Sequence, residues 1–222
     1  MRMMLVGGVV AAMVAAAGQG VGAHPSAHTG AAKVNKTLQI VRHPVTKNGH
    51  PGAGYTVKRE QGEIDCSFAD PSPGARSKNI EVCSPSAAYA IACWKAAAPH
   101  HALCLRDPHL NKLAKLKLSG HFARTGLAPR KQRAPLRLVL ADGTHCMIRD
   151  GGAWGSLKSH PKWNATYSCD KHGDVWAAPK AAHWGVNESK PAWRVHTAKA
   201  GKGRVVVTRR VALAYFVKNA KH

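Results

Sequence analysis

The amino-acid sequence predicts a mainly β protein, a small disulfide-stapled sandwich or barrel with at most one short helix. Three observations lead to this fold class. From residue 63 onwards, short apolar runs are separated by turn residues. Residues 136–176 repeat a hairpin pattern twice, and six cysteines occur in a chain that begins with an export signal. Many short strands joined by Gly and Pro turns are typical of small sandwiches and barrels.

The first hairpin pattern begins at Leu136. Leucines at every second position up to residue 140 indicate a strand with one buried side. Asp142 and Gly143 then supply the positive φ angle that a tight turn needs, and residues 144–148 return as the partner strand.

The second hairpin pattern follows in the same style. Residues 164–169 are rich in strand formers, residues 171–174 can turn, and residues 175–176 can start the return strand. Cys146 and Cys169 lie one on each hairpin. A disulfide between them would therefore staple the two hairpins together.

Further short strands are predicted on either side of the hairpins. Residues 79–83 and 88–94 bracket a Ser-Pro-Ser turn, and residues 102–105 form a third strand. After the hairpins, residues 192–196 form a short strand, and the runs 204–208 and 211–217 both alternate. The last run, 211–217, should be the closing strand of the core.

Residues 107–118 fit two patterns. Asp107 as N-cap, Pro108 at the first helical position and leucines at every third residue predict a short basic amphipathic helix. The run Leu116-Lys117-Leu118 equally suits a strand. A helix with cations opposite leucines could lie on a membrane surface, although such a leucine face more often packs on its own core.

The N-terminus reads as a secretory signal peptide over residues 1–23. Arg2 is a short positive region, residues 3–17 are apolar, and residues 21–23 (VGA) form a small-residue cleavage site. The apolar run is shorter than the ~20 residues of a spanning helix. We expect cleavage after Ala23 and no transmembrane segment afterwards.

The mature chain is predicted to have two parts. Residues 24–62 mix His, Pro, Gly, Lys and Ala, which predicts a flexible basic lead-in with one possible strand at 37–41. Residues 63–218 are predicted to form a single disulfide-bonded β-rich domain.

The six cysteines predict three disulfides, because an even count in an exported chain favours pairing. No two cysteines form the C-x-x-C knuckle of a structural zinc site. Spacing leaves the connectivity open. We expect a disulfide between Cys146 and Cys169 first. The other two pairs would then be Cys93–Cys104 and Cys66–Cys83.

Charge is the strongest global feature. The chain carries +22, and loss of Arg2 with the leader leaves 32 basic against 11 acidic residues, or +21. No acid lies between Asp107 and Asp142, and every formally charged side chain after Glu188 is basic. Such an excess implies attraction to anionic polymers, and its alternative is a solvated surface that keeps the protein soluble.

We therefore expect the segment from Lys112 to Arg137, assisted by the basic C-terminal region, to bind anionic polymers, and eight residues of the chain are candidates for binding. Seven are cations, and the eighth is a tryptophan in the glycine-rich loop 151–155, which we expect to be exposed while most of the six tryptophans are buried. The candidates are Lys112, Lys115, Lys117, Arg124, Arg130, Lys131, Arg133 and Trp154.

Catalysis is the alternative, and the candidates for general acid and base are His145, Asp150, His172 and Asp174. Their spacing follows no template, and aspartates near turns are common for local reasons. The motifs G-x-S-x-G, H-E-x-x-H and the P-loop are absent. His100 and His101 with Cys104 could ligate a metal, but a disulfide at Cys104 is preferred, so neither metal nor cofactor is predicted.

Two sets of short motifs carry a resemblance. Residues 77–80 (SKNI), Cys83, 91–93 (IAC), Cys104 and Asp107 resemble a cysteine-rich domain of unknown function in secreted actinobacterial proteins. Residues 142–146 (DGTHC), 151–154 (GGAW), 167–169 (YSC), Trp193 and 214–217 (AYFV) are similar to other uncharacterised exported proteins of these bacteria. The resemblance implies an extracellular or envelope location and brings no catalytic residues.

Two hypotheses from different classes follow. The first is a secreted, envelope-associated binding or structural module for anionic polymers, without specificity for nucleic acid and without enzymatic activity. The alternative is a small secreted basic hydrolase, a nuclease or glycosidase, that uses His and Asp as acid and base.

Overall fold

A computed structural model describes residues 35–85, 90–149, 155–201 and 205–221. The fold is mainly β, as the sequence predicts. Within the described residues there are twelve strands, and the helical segments are two short 3-10 helices at Arg130–Gln132 and Ala182–Gly185. No helix in this part of the chain has the length and apolar character needed to cross a membrane.

The first half of the fold is a closed five-stranded barrel. Consecutive strands pair antiparallel, and the parallel pairing of the first strand with the last closes the barrel. Its strands are β2 (Thr56–Pro71), β3 (Glu81–Ser84), β4 (Cys93–Lys95), β5 (His101–Leu105) and β6 (Lys112–Phe122).

The second half is a six-stranded barrel in which all neighbours are antiparallel. Its last strand pairs with its first, and β1 (Leu38–Arg42) lies parallel along the last strand. The six strands are β7 (Arg137–Leu140), β8 (His145–Ile148), β9 (Asn164–Cys169), β10 (Asp174–Ala177), β11 (Arg194–Ala198) and β12 (Val207–Val217).

Both predicted hairpins are confirmed, as β7–β8 and β9–β10. Gly143 has φ 77°, the left-handed value that its turn was expected to require, and Gly173 has φ 84° in the second turn. Cys146 and Cys169 are direct partners across β8 and β9. The hairpins are therefore neighbours in one sheet, side by side.

All three expected disulfides are present, and each joins two neighbouring strands. The Cα–Cα distances are 4.6, 4.1 and 4.0 Å for the pairs Cys66–Cys83, Cys93–Cys104 and Cys146–Cys169. The described chain has no free cysteine.

The two barrels share a hydrophobic core. On β5, Ala102 and Cys104 belong to the core inside the five-stranded barrel, whereas Leu103 and Leu105 pack in the larger core with residues such as Leu138. This alternation buries both faces of β5, because one face fills its own barrel and the other meets the six-stranded barrel.

The helix predicted within residues 107–118 is wrong, and so is the membrane-surface helix derived from it. The strand β6 begins at Lys112 and runs to Phe122, between β5 and β2. Ala114, Leu116 and Leu118 point into the five-stranded barrel. Two partner strands satisfy the backbone here, and they outweigh the local helix signal.

The region predicted as a flexible lead-in is partly ordered. Its possible strand at 37–41 corresponds to β1, and the first residues of β2 also lie within it. The Thr37 hydroxyl donates to Val211 O at 2.7 Å and accepts from Trp193 N at 2.8 Å. The partners of this segment lie far along the chain, so its composition does not show them. Residues 1–34, which include the predicted leader, lie outside the described residues.

Candidate functional site

The cations predicted to form one binding segment line different surfaces. Lys115 and Lys117 line a shallow cleft of about 520 Å³ together with Glu60 and Glu63. The Lys117 Nζ lies 2.5 Å from Glu63 Oε1. This part of the predicted surface is therefore partly neutralised by carboxylates.

Arg130 and Lys131 lie on a 3-10 helix and are exposed, and Arg133 follows it. The Arg133 Nε donates to Ala128 O at 2.8 Å, so this side chain is partly engaged by its own loop. Arg130 lines a further cleft that also contains Trp163. Lys112 is exposed at the start of β6, and Trp154 lies outside the described residues.

Arg124 belongs to a different surface, which we call the basic cleft. This cleft has a volume of about 800 Å³ and four exposed cations. It is lined by residues 46–48, 77–79 and 94–97 with Phe122, Arg124 and Asn219, none of which is acidic. Its cations are Lys47, Lys78, Lys95 and Arg124.

Asn219 fixes the position of three segments of the basic cleft. Its Oδ1 accepts from Trp94 Nε1 at 2.9 Å, and its backbone N donates to Ser77 Oγ at 2.9 Å. Its Nδ2 donates to Lys78 O at 3.4 Å. The chain after β12 is thereby tied to β4 and to the loop after β2, so Lys78 and Lys95 stand on a shared hydrogen-bonded frame.

A turn after β1 brings Lys47 to the same cleft. Gly49 has φ 79°, and its N donates to Thr46 O at 3.0 Å, which closes the turn around Lys47. The Gly49 O accepts from Ala97 N at 2.9 Å. This bond docks the turn against the end of β4, where Lys95 lies.

The basic cleft can hold an anion through several cations that no acidic lining residue neutralises. Only Arg124 is among the binding residues that the sequence predicts. Lys47, Lys78 and Lys95 were missed because each lies in a separate segment, and no local run of charge marks them. Their closeness depends on the tertiary contacts of Asn219.

Of the catalytic candidates, His145 belongs to a polar network at the junction of the two barrels. Arg137 pairs with Asp107 through Nη1, and its Nη2 hydrogen-bonds with His145 Nδ1. The His109 ring lies 5.9 Å from the His145 ring, and its Nδ1 lies 3.3 Å from the Tyr215 hydroxyl. Asp107 and His109 come from the loop after β5, so the network joins the two barrels.

His172 is engaged elsewhere. Its Nε2 lies 2.9 Å from Asp142 Oδ2, which also lies 2.9 Å from Arg209 Nη1. Partial burial opposes ionisation of Asp142, but hydrogen bonds from Thr144 and the nearby His172 and Arg209 hold its pKa below the ordinary value. The carboxylate therefore ties together the β7–β8 and β9–β10 turns and β12.

Asp174 has its own surroundings as well. Burial raises the pKa of its carboxyl above the ordinary value, while a hydrogen bond from Ser168 and the charge of Arg149 oppose this rise. Asp150 lies outside the described residues. His145, His172 and Asp174 thus have different polar partners.

Metal ligation is the remaining chemistry that these side chain types could support. Among the residues that the structure describes, no group of three or more His, Cys, Asp or Glu side chains is placed to hold a metal ion. Cys104, the possible partner of His100 and His101, is bonded to Cys93. Comparisons of the chain with models of protein families, with curated proteins and with solved structures found no match.

Proposed function

We propose that this chain is an exported binding module that holds anionic polymers of the cell envelope in the basic cleft. One observation carries the proposal: Lys47, Lys78, Lys95 and Arg124 converge on a cleft of about 800 Å³ without an acidic lining residue. In another cleft, by contrast, a cation is paired with a carboxylate: Lys117 forms an ion pair with Glu63.

Charge supports binding in two ways. The excess over the whole chain, +22, attracts polyanions and speeds their encounter with the protein. In the cleft, each anionic group that a cation neutralises releases counterions, which favours binding and makes it sensitive to salt. A merely solubilising surface would show no preference for one group of cations over another.

Export is supported by the apolar run at residues 3–17 with its small-residue cleavage site. Three disulfides are consistent with an oxidising compartment. The resemblance to secreted actinobacterial proteins points the same way, toward the envelope as the place where the polymer is met.

The test compares two triple variants that lose the same charge. The cleft variant is Lys78→Gln, Lys95→Gln and Arg124→Gln. Its matched control removes three exposed lysines that line none of the clefts described above, two of them from the predicted binding segment: Lys112→Gln, Lys131→Gln and Lys171→Gln. Exposed charge substitutions usually shift stability by less than ~0.5 kcal/mol, so both variants should fold.

Binding is measured on dextran sulfate, a short DNA duplex and uncharged dextran, at about 50 and 200 mM salt. For the duplex, we measure the slope of the logarithm of the association constant against the logarithm of the salt concentration. In the cleft variant this slope should become shallower by about 0.9 for each phosphate that is no longer neutralised. In the control it should resemble that of the parent. Equal weakening by both variants would show that binding is spread over the surface and is not held in the basic cleft. Affinity that does not respond to salt would show that the charge only solubilises the protein.

A hydrolase remains the second candidate, because the rings of His109 and His145 lie edge to face, with centroids 5.9 Å apart, beside Arg137 and Tyr215. Two neighbouring imidazoles can act as general acid and base on a phosphodiester or glycoside. Turnover of RNA or of a soluble glycan that disappears in both His109→Ala and His145→Ala would support this function. The absence of turnover by the parent would exclude it for those substrates.

A further inference from the structure

A second cleft, which we call the Trp163 cleft, lies beside the loop that joins β10 to β11. It has a volume of about 590 Å³. Its inner surface is apolar and includes Ala177 and Val186, both buried, and the fully buried Trp176. The Trp176 Nε1 donates to Ala198 O at 2.9 Å, so the indole N–H in this floor is already paired. Such a concave, apolar site suits a small-molecule or saccharide ligand.

One wall of the Trp163 cleft is aromatic. Trp163 is half-buried, and its ring centroid lies 5.3 Å from that of His196, which also lines the cleft. The Trp163 ring also contacts the His160 ring, with the two ring centroids 4.3 Å apart. The flanking rings restrict the indole, so its apolar surface is presented in a fixed orientation.

The rim of the cleft is polar and carries a carboxylate. Asn187, Glu188 and Ser189 follow one another along it, and Arg130 faces them from the 3-10 helix. The Asn187 Oδ1 accepts from Ser189 N at 3.0 Å, which orients the amide group. Burial raises the pKa of the Glu188 carboxyl, while His183 and nearby arginines lower it.

The backbone beside this rim is strained. His183 has φ 54° and ψ 33°, and Trp184 has φ 56° and ψ 35°, so two residues with side chains adopt the left-handed conformation in succession. This conformation is unfavourable for residues with side chains, and strain of this kind clusters at binding sites. The His183 Nδ1 lies 2.8 Å from Arg133 O, and Trp184 Nε1 donates to Gln132 O at 3.1 Å, which holds the segment in place.

From these features we propose that the Trp163 cleft binds neutral sugar residues of a glycan chain. A pyranose offers an apolar C–H face to the fixed indole, and its hydroxyls can donate to Glu188 and accept from Arg130 and the Asn187 amide. The inference is independent of the basic cleft, because the two clefts share no lining residue.

Charge distinguishes a sugar from a nucleotide at this site. A nucleobase could also stack on Trp163, and its phosphate could pair with Arg130, but the same phosphate would lie near the carboxylate of Glu188. A neutral sugar meets no such repulsion. Nucleotide binding is therefore a competing outcome of the test.

The experiment uses the refolded mature chain at two salt concentrations. At about 0.15 M salt the charge of Glu188 still acts on a bound phosphate, and at about 1 M screening over about 3 Å suppresses binding of anions by the basic cleft. Soluble chito-oligosaccharide, cello-oligosaccharide and a nucleoside monophosphate are titrated separately, with calorimetry and tryptophan fluorescence as readouts. We expect binding of at least one oligosaccharide and none of the nucleotide.

The variants locate the binding. Trp163→Ala should weaken saccharide binding on the order of tenfold, Trp163→Phe should retain part of it, and Glu188→Gln should weaken it several-fold. The matched control for the carboxylate is Glu63→Gln, which lines another cleft and should bind as the parent does. Because Trp163 also packs on a small core, Glu188→Gln keeps the test decisive if Trp163→Ala does not fold.

Three results would overturn the inference: no saccharide binding, equal binding by the parent and Glu188→Gln, or a preference for the nucleotide. The cleft variant with Lys78, Lys95 and Arg124 replaced should bind sugar like the parent. Failure of sugar binding and failure of polyanion binding are therefore read in separate measurements.

Discussion

The two barrels fill their interiors in different ways. Inside the five-stranded barrel, the buried core residues that the structure describes are four disulfide-bonded cysteines, three alanines, two leucines and an isoleucine. The interior of the six-stranded barrel holds larger side chains, among them the buried Leu138, Ile148 and Tyr167, and one disulfide. Covalent links are thus more numerous where the side chains are small.

This difference has a physical reason. Burial of apolar surface contributes roughly 25 cal/mol per Å², so alanines contribute little. A disulfide raises the free energy of unfolding by about 2 to 4 kcal/mol, because it restricts the unfolded chain. This contribution does not depend on the size of the side chains around the disulfide. We therefore expect the five-stranded barrel to depend on its bridges and the six-stranded barrel to depend on packing. Removing the bridges of each barrel in turn tests this division.

The largest effect is expected when both bridges of the five-stranded barrel are removed, by replacing Cys66, Cys83, Cys93 and Cys104 with Ala. Loss of a native bridge in a small secreted domain costs roughly 2 to 5 kcal/mol, so two bridges approach the ~5 to 15 kcal/mol of a whole domain. Hydrogen exchange should show β2–β6 unprotected and β7–β12 still protected. Simultaneous loss of protection in both barrels would break the comparison.

A smaller effect is expected from Cys146→Ala combined with Cys169→Ala. The free energy of unfolding should again fall by roughly 2 to 5 kcal/mol. This single bridge, however, lies in the larger core, which also contains the buried Tyr167 and Val175. The double variant should therefore remain folded, with a lower midpoint of urea unfolding. Complete unfolding in the absence of denaturant would show that the six-stranded barrel also depends on its bridge.

The junction between the barrels provides the third prediction. Arg137→Met removes the ion pair with Asp107 and the hydrogen bond with His145, and leaves the largely buried Asp107 carboxylate without its cation. We expect the free energy of unfolding to fall by about 1 to 3 kcal/mol. This is less than for a fully buried pair, because Asp107 keeps some solvent exposure.

A double-mutant cycle with Asp107→Asn measures this coupling directly. Urea unfolding followed separately in each barrel should give one shared transition for the parent. Arg137→Met should also give one shared transition, at a lower midpoint, because the hydrophobic core still joins the barrels. Additive effects of the two substitutions would show that the pair does not couple the barrels.

How much could be predicted depended on the range of the interactions. The β7–β8 hairpin was predictable because its turn at Asp142 and Gly143 and its alternating leucines are local signals. The pairing of β1 with β12 was not, because Leu38 and its partner Leu213 lie near opposite ends of the described chain. The strand β6 was ambiguous for the same reason, since its neighbours β2 and β5 decide its conformation.

The candidate sites show the same limit. A run of cations along the sequence predicted one binding segment. Strands and loops instead place some of those cations in three separate clefts and leave others, such as Lys112 and Lys131, outside them. The basic cleft instead combines Lys47, Lys78 and Lys95 with Arg124. In the Trp163 cleft, Glu188 and His183 gave no sequence signal, because the strained backbone that places them is visible only in the structure.

The smallest expected effects concern two carboxylates, one from each barrel, whose pKa values shift in opposite directions. Burial raises the pKa of Glu81 in β3, and the hydrogen bonds from Thr125 offset only part of the rise. The pKa of Asp142, in the β7–β8 turn, is lowered by its hydrogen bonds and nearby cations despite some burial. The two groups should therefore respond to pH with opposite signs.

The pKa of Glu81 is raised in the folded state, so its contribution to stability is fully present below the pKa of the unfolded state, about 4.3. That contribution is lost as pH rises through the pKa of the folded state. The unfolding free energy of Glu81→Gln relative to the parent should thus increase from acid to neutral pH, since the amide oxygen still accepts from Thr125 N. For Asp142, the contribution is present above the unfolded pKa, near ~3.9, and is lost as pH falls, so Asp142→Asn should be relatively less stable at neutral pH. Urea unfolding of the parent and both variants at about pH 3 and pH 7 measures the two differences. If they change in the same direction, burial is not what separates these carboxylates, and the electrostatic part of the comparison between the barrels fails.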